Sequence, residues 1–278
     1  MNINNKLSLK NILDEYDFRP KKKLGQNFLH DKNIIESIIK EAKIKGENIL
    51  EVGPGPAILT ELMLMKGANL VLSIEKDDSF EKKLSEIKKK YEKRFSYIFA
   101  DILDYNFDKN RINNFKIISN LPYNISVPFI LKMNKENYRL IWKEMILMVQ
   151  KEVADRLLAV KGAKNYGRIS VIMGWKNKIE RIFNVKPSSF IPKPKVDSSL
   201  IRITPLMKYP DARHETLEKI IKLSFSHKRK TIKNNLDQLN IDTNNLLDLA
   251  KINPSERAEN IEIEDFCRIA NLYEKITS

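Results

Sequence analysis

The sequence predicts an α/β protein in which a mostly parallel, doubly wound sheet precedes a small all-helical domain. Three observations predict it. Strand-like apolar runs alternate with helix-period segments over about 120 residues of the first part of the chain. After about residue 175 two strand-like runs surround a proline-rich stretch, and from about residue 208 the signals are helical only. Alternation of strand and helix implies parallel pairing, because a crossover helix carries the chain back to the same edge before the next strand begins.

The elements follow in order. Residues 1–18 read as a loosely held tail. "DKNIIESIIKEAKI" (31–44) has helical periodicity with Asp31 as its cap. "ENILEVG" (47–53) is a strand, and "AILTELMLMKG" (57–67) a helix closed by Gly67. "NLVLSIE" (69–75) is a strand and "DDSFEKKLSEIKKKY" (77–91) a helix with acidic residues at its start, where the dipole favours them. "FSYIFAD" (95–101) and "FKIISN" (115–120) are strands, and "SVPFILKMNK" (126–135) is a helix. "YRLIWKEMILMVQ" (138–150) contains a strand and "KEVADRLLAV" (151–160) a helix. "KIERIFNV" (178–185) and "DSSLIRITP" (197–205) are strands around "KPSSFIPKPKV" (186–196), a loop long enough to suggest an exposed functional feature. "ARHETLEKIIKLSFS", "KRKTIKNNL", "TNNLLDLA" and "IEIEDFCRIANLYEK" are helical. The expected domains are 1–205 and 206–278.

Composition bounds the function. With 278 residues, 42% hydrophobic and 31% charged, the chain has the make-up of a folded soluble protein. No apolar run approaches the ~20 residues of a membrane span. The N-terminus has no apolar core or small-residue cleavage site, so a cytoplasmic protein is expected. The single cysteine, Cys267, lies in a helical pattern and reads as a core residue. His30, His214 and His227 form no metal-spaced group, so no metal is expected. A net charge of +14 points to a polyanionic partner. "EKKLSEIKKKYEKR" (81–94) reads as the solvated face of a helix. Residues 206–278 carry 12 basic and 12 acidic residues, which puts the surplus in 1–205, much of it in clusters such as "RPKKK" (19–23).

"ILEVGPGPAILT" (49–60) is a strand, a glycine turn and a helix. Gly53 and Gly55 let backbone approach a ligand closely. Pro54, Pro56 and the absence of a third glycine, with Ala57 in its place, argue against a dinucleotide pyrophosphate site. Glu75 ends the next strand 22 residues after Gly53, where a carboxylate accepts from both ribose hydroxyls. Asp101 follows the third strand, where it can accept from an adenine amino group. Either acid alone could be a cap or a solvated loop residue. Together with the glycine turn they outline an adenosine pocket at the C-terminal edge of the sheet. No lysine-serine pair of the triphosphate-cleaving kind is present.

"NLPYNIS" (120–126) leaves a strand end with a side-chain amide, two carbonyls and an aromatic ring. Pro122 ends sheet pairing and forces Leu121 extended. With the acidic strand ends it resembles the S-adenosylmethionine-dependent amino methyltransferases of nucleic acids, and the fold expected is the Rossmann-like methyltransferase domain. In that class Asn120 and the Leu121 or Pro122 carbonyl accept from the exocyclic amine of a target adenine, and Tyr123 stacks on the base. "KKKLGQNFLHD", "EVGPG", "VQKEVADRL", "NYGRIS", "SSFIPKPKVDSSLIRI" and "FSHKRKTIKNNL" extend the resemblance from about residue 18 to 270. The chain resembles the KsgA/RsmA family, the small-subunit ribosomal RNA adenine dimethyltransferases. That resemblance implies dimethylation of two adjacent adenines in a hairpin near the 3′ end of 16S rRNA, within the small subunit or its precursor. It implies S-adenosyl-L-methionine as cofactor and S-adenosylhomocysteine as product. Asn27 and Leu29 would touch the cofactor's methionine side, with Gln26 beside them. Gly53 and Gly55 would line the pocket, Glu75 would hold the ribose and Asp101 the adenine, and Asn120 would serve both substrates.

Two departures stand out. Pro56 replaces the more usual leucine, at what reads as the first helical turn, where proline is tolerated. Ala100 replaces a frequent glycine. RNA contacts are expected from Lys21, Lys22 and Lys23 and from Lys228, Arg229 and Lys230. A monomer is expected, since no coiled-coil pattern is present. Three rival readings share some features: a macrolide-resistance methyltransferase acting on large-subunit RNA, a nicotinamide oxidoreductase, and a non-catalytic assembly checkpoint on the small subunit.

Overall fold

The computed structural model describes residues 9–107 and 113–277. The strands are β1 (Phe28–Leu29), β2 (Asn48–Val52), β3 (Leu70–Glu75), β4 (Phe95–Phe99), β5 (Phe115–Asn120), β6 (Trp142–Gln150), β7 (Asn177–Val185), β8 (Phe190–Ile191) and β9 (Ser198–Pro205). The helices are α1 (Leu9–Glu15), α2 (Lys32–Ala42), α3 (Ile58–Met65), α4 (Glu81–Tyr91), α5 (Tyr123–Met133) and α6 (Lys151–Leu157). They continue as α7 (Arg168–Gly174), α8 (His214–Ser224), α9 (Ile232–Leu236), α10 (Thr243–Leu249) and α11 (Ile263–Thr277).

Seven strands form one sheet in the order β4-β3-β2-β5-β6-β9-β7. The pairs among β2 to β6 are parallel, and β9 runs antiparallel to β6. The chain winds outward from β2 to β4, then returns to place β5 on the other side of β2. That reversal opens a crevice at the C-terminal ends of β2 and β5, the place where open α/β sheets bind ligands. The central strands are apolar on both faces, as strands covered on both sides must be: Ile49, Leu50, Ile117 and Ile118 are fully buried.

The chain divides into two compact units, 1–151 with 180–204, and 152–179 with 205–278. One passage between them falls at 204/205, one residue before the expected boundary at 205/206. Residues 152–179, expected in the first domain, group with the helical unit instead. There the Tyr166 hydroxyl donates to the Ile261 carbonyl at 3.0 Å, Arg168 pairs with Glu218 at 2.6 Å, and the Phe225 ring packs near both Tyr166 and Phe266. The hydrogen-bonded partners among these lie 50 and 95 residues apart, beyond what local patterning reports. Cys267 is buried, and burial pushes its thiol up to about 12.

Within the first unit the expectation of a loose N-terminal tail is corrected for residues 9–18. Leu9, Ile12 and Leu13 recur at helical spacing and bury one face of α1, and Phe18 packs edge-on against Phe80 at 4.6 Å. Residues 1–8 lie outside the described part. Asp31 caps α2 as expected, accepting from the Asn33 and Ile34 amides. Helix α3 starts at Ile58 with Ala57 as its cap, so Pro56 sits before the helix and not in its first turn.

Candidate active site

A cavity opens along the C-terminal ends of β2, β3, β4 and β5. Gly53 and Gly55, Glu75, Asp101 and Asn120 all line it, as do Gln26, Asn27 and Leu29. Nearly every residue expected at the cofactor or the target amine therefore faces one space. Leu121 and Tyr123 are not among its lining residues. Leu121 is buried, and the Tyr123 hydroxyl bonds the Ser198 hydroxyl at 2.6 Å.

The glycine turn is shaped by its backbone. Gly53 has φ +66° and Gly55 φ +52°, both in the left-handed region. A Cβ on Gly55 would lie 3.0 Å from the Phe28 ring, and one on Gly53 would lie 3.7 Å from the Pro122 ring. Ala57, where a third glycine was missing, also takes a left-handed φ of +62°.

Glu75 is held from three sides. Its Oε2 accepts from the Gly55 amide at 3.0 Å, and its Oε1 accepts from the Lys76 and Asp77 amides at 2.8 Å each. Burial raises its pKa against these three donors. Asp101 accepts from the Lys76 ammonium at 2.6 Å and the Leu103 amide at 2.9 Å, and the Lys76 bond holds its carboxyl below the usual range. Asn120 donates from Nδ2 to the Asn27 carbonyl at 2.8 Å. Its Oδ1 remains as an acceptor on the cavity wall.

Three neighbours escaped the sequence reading. Glu51 lines the cavity from within β2, with its Oε2 taking the Thr60 and Ser73 hydroxyls at 2.5 and 3.0 Å. Burial pushes its carboxyl up to about 7. Its only signal was one carboxylate inside the apolar run "ILEV". Asp77 takes the Lys21 ammonium at 2.5 Å and the Gln26 amide nitrogen at 2.8 Å, while the Lys21 backbone donates to Gln26 Oε1 at 2.7 Å. Lys21 and Gln26 thus clasp their own loop to the end of β3. Lys21, expected at an RNA phosphate, has its ammonium paired here with the buried Asp77 carboxylate. Lys76 is the third, through its bond to Asp101.

The ribosomal RNA adenine dimethylase family matches residues 17–275. The chain belongs to that family. It is 38% identical over 277 residues to the ribosomal RNA small subunit methyltransferase A of Bartonella quintana, covering 98% of this chain and 99% of the relative. A dimethyladenosine transferase of Plasmodium falciparum superposes with a TM-score of 0.72 at 28% identity, over 89% of this chain and 98% of that one. The 23S rRNA methyltransferase ErmE shares the fold, with a TM-score of 0.66 at 23% identity, over 89% of this chain and all of that one. The fold of this adenine dimethylase is therefore the Rossmann-like methyltransferase fold, with a helical C-terminal region.

The chemistry of the cavity fits the cofactor of such enzymes. Three carboxylates, Glu51, Glu75 and Asp101, line it with apolar Leu29, Ile74 and Ile102. A sulfonium nucleoside with a free ammonium group carries positive charge that such a wall favours.

Proposed function

We propose that this chain transfers methyl groups from S-adenosyl-L-methionine to the exocyclic amines of two adjacent adenines, in a hairpin near the 3′ end of small-subunit ribosomal RNA. The observation that carries the reading is the Asn120 amide. Its nitrogen donates to the Asn27 carbonyl, which orients the side chain with its oxygen available as an acceptor. The names of the small-subunit relatives support the choice of RNA over the large-subunit alternative.

When bound, the cofactor supplies an electrophilic methyl group. The chain's own residues do the rest. Glu75 holds the ribose hydroxyls with a carboxylate already fixed by three amides, and Asp101 accepts from the cofactor adenine. Asn27, Gly53 and Gly55 shape the methionine side, with Leu29 as an apolar wall. Asn120 Oδ1 accepts one hydrogen of the target amine. The Leu121 or Pro122 carbonyl accepts the other, and the Pro122 oxygen has a second lone pair free beside its bond from the Ile125 amide at 3.1 Å. Two acceptors on one amine oppose delocalisation of its lone pair into the ring. Alignment with the methyl group then contributes much of the rate. The target adenine must be unpaired or flipped out to reach this cavity. Stacking on Tyr123 contributes roughly 1–3 kcal/mol and requires its ring at the mouth, held by Ser198.

The enzyme works as a cytoplasmic monomer without a metal, with methyl transfer in the first unit and further RNA contact in the helical one. A checkpoint role during subunit assembly is compatible with this chemistry, since it requires only binding. The test is Asn120→Ala. Calorimetry should show S-adenosylhomocysteine affinity within a few-fold of wild type, and unmethylated small subunits should still bind. Dimethyladenosine formation should fall by two orders of magnitude or more. Normal methylation by this variant would sink the reading.

A further inference from the structure

Strands β1 and β8 form a two-stranded antiparallel ribbon apart from the main sheet, with Phe28 opposite Ile191 and Leu29 opposite Phe190. Antiparallel register has a simple consequence. The chain entering β1, residues 22–27, and the chain leaving β8, residues 192–196, lie at the same end of the ribbon. Lys23, Leu24, Gln26 and Asn27 from the first segment line the cavity.

Both segments are basic and free of acidic residues, from Arg19 to His30 and from Lys186 to Val196. The charges are of two kinds. Arg19 pairs with Asp17, Lys21 with Asp77 and Lys186 with Asp197. Lys22, Lys23, Lys193 and Lys195 are exposed, and no side-chain hydrogen bond or ion pair involves them among the described residues. Four unpaired ammonium groups at one end of a ribbon repel one another and add nothing to the fold. What they can do is hold an anion.

The second segment is also stiffly mounted. Pro192 and Pro194 fix φ on either side of Lys193. The His30 amide donates to the Ser189 carbonyl at 3.0 Å, the Ser189 hydroxyl bonds Asp31 at 3.1 Å, and the Lys151 amide donates to the Asp197 carbonyl at 2.9 Å. A loop tied at both ends loses little conformational freedom when it meets a ligand.

We propose that Lys193 and Lys195 form, with Lys22 and Lys23, a two-sided phosphate clamp that holds the RNA backbone flanking the target adenines at the mouth of the cavity. The clamp rests on the assignment of an RNA substrate. It replaces the run of three lysines expected from sequence, in which Lys21 is already paired, with two lysines from each arm of the ribbon.

The test is the double substitution Lys193→Gln with Lys195→Gln, with unmethylated small ribosomal subunits as the probe. Affinity is measured against salt concentration. For each phosphate that the variant no longer neutralises, the log–log slope should become shallower by about 0.7–0.9, and affinity at low salt should fall at least tenfold. Charge reversal to glutamate should weaken binding further. Affinity for S-adenosylhomocysteine, measured in parallel, should match wild type and shows that the variant is folded. A slope and affinity equal to wild type in both variants overturn the clamp while leaving the methyltransferase reading intact. Failure of the wild-type enzyme itself to bind or methylate the subunits overturns that reading, and the clamp with it.

Discussion

Glu51 shows how one buried side chain sets a pH response. Its carboxyl is raised to about 7 chiefly by burial, against the Thr60 and Ser73 hydroxyls. A carboxyl with a folded pKa above its unfolded one retains its proton better in the folded state. Its favourable contribution is complete below about pH 4.5 and is lost as pH rises through about 7. Glutamine mimics the protonated form and preserves an acceptor for both hydroxyls. Glu51→Gln should therefore flatten the fall in stability between those limits, and at pH 8 should be more stable than wild type by up to about 3 kcal/mol. Urea unfolding at pH 5 and pH 8 checks this, and parallel pH profiles for the two proteins would refute it. Ala57 is the counterexample at this scale. A left-handed alanine costs about 1–2 kcal/mol, yet nothing in "GPGPAIL" announces it.

Helix α5 joins the two halves of the site. Its N-terminal end follows Asn120, Leu121 and Pro122. In its last turn the Lys132 ammonium donates to the carbonyls of Ile102, Leu103 and Tyr105 at 2.9, 2.8 and 2.7 Å. Three donors meet three acceptors, all in the turn that follows Asp101. Burial lowers the Lys132 pKa, opposed by Asp104 and Asp101. Lys132→Met preserves the stem but releases that turn. Cofactor affinity should drop about tenfold, consistent with net losses of about 1.5 kcal/mol for charge-assisted bonds at a partly exposed site. The KM for cofactor should rise while kcat at saturation stays near wild type, and Lys132→Arg should restore part of the loss. An unchanged KM would mean that the turn needs no such anchor. The helix pattern was legible in "SVPFILKMNK", but the role of its lysine was not, because its acceptors lie 27 to 30 residues away on another element.

At the scale of the molecule, charge is divided between the two units. Residues 206–278 are neutral by count, but residues 152–179 add six basic and two acidic side chains to the helical unit. That unit is therefore basic, and Lys228, Arg229 and Lys230 form its most concentrated run. They occupy the turn ahead of Thr231, which caps α9, so they precede the helix and do not belong to it. All three are exposed, and their side chains make no hydrogen bond or ion pair among the described residues. Alanine at all three should weaken binding to unmethylated small subunits and reduce the salt slope by about 0.7–0.9 for each phosphate no longer neutralised. Filter binding across a salt series measures it, with unaltered cofactor affinity as the control. An unchanged slope would make this run surface charge alone.

Alternating apolar runs and helical periods were enough, read along the chain, to place the parallel sheet, its crossover helices and the helical C-terminal region. The acidic ends of β3 and β4 and the Asn-Leu-Pro-Tyr turn were legible for the same reason: each is a short-range departure from an otherwise apolar strand pattern. Tertiary structure alone decided that Lys21 is paired while Lys193 has no ion pair among the described residues, that Glu51 lines the cavity, and that residues 152–179 join the helical unit. Those facts depend on contacts between residues far apart in sequence. A local pattern records which face of an element is apolar, whereas the partner of a charge is set only when the chain has closed on itself.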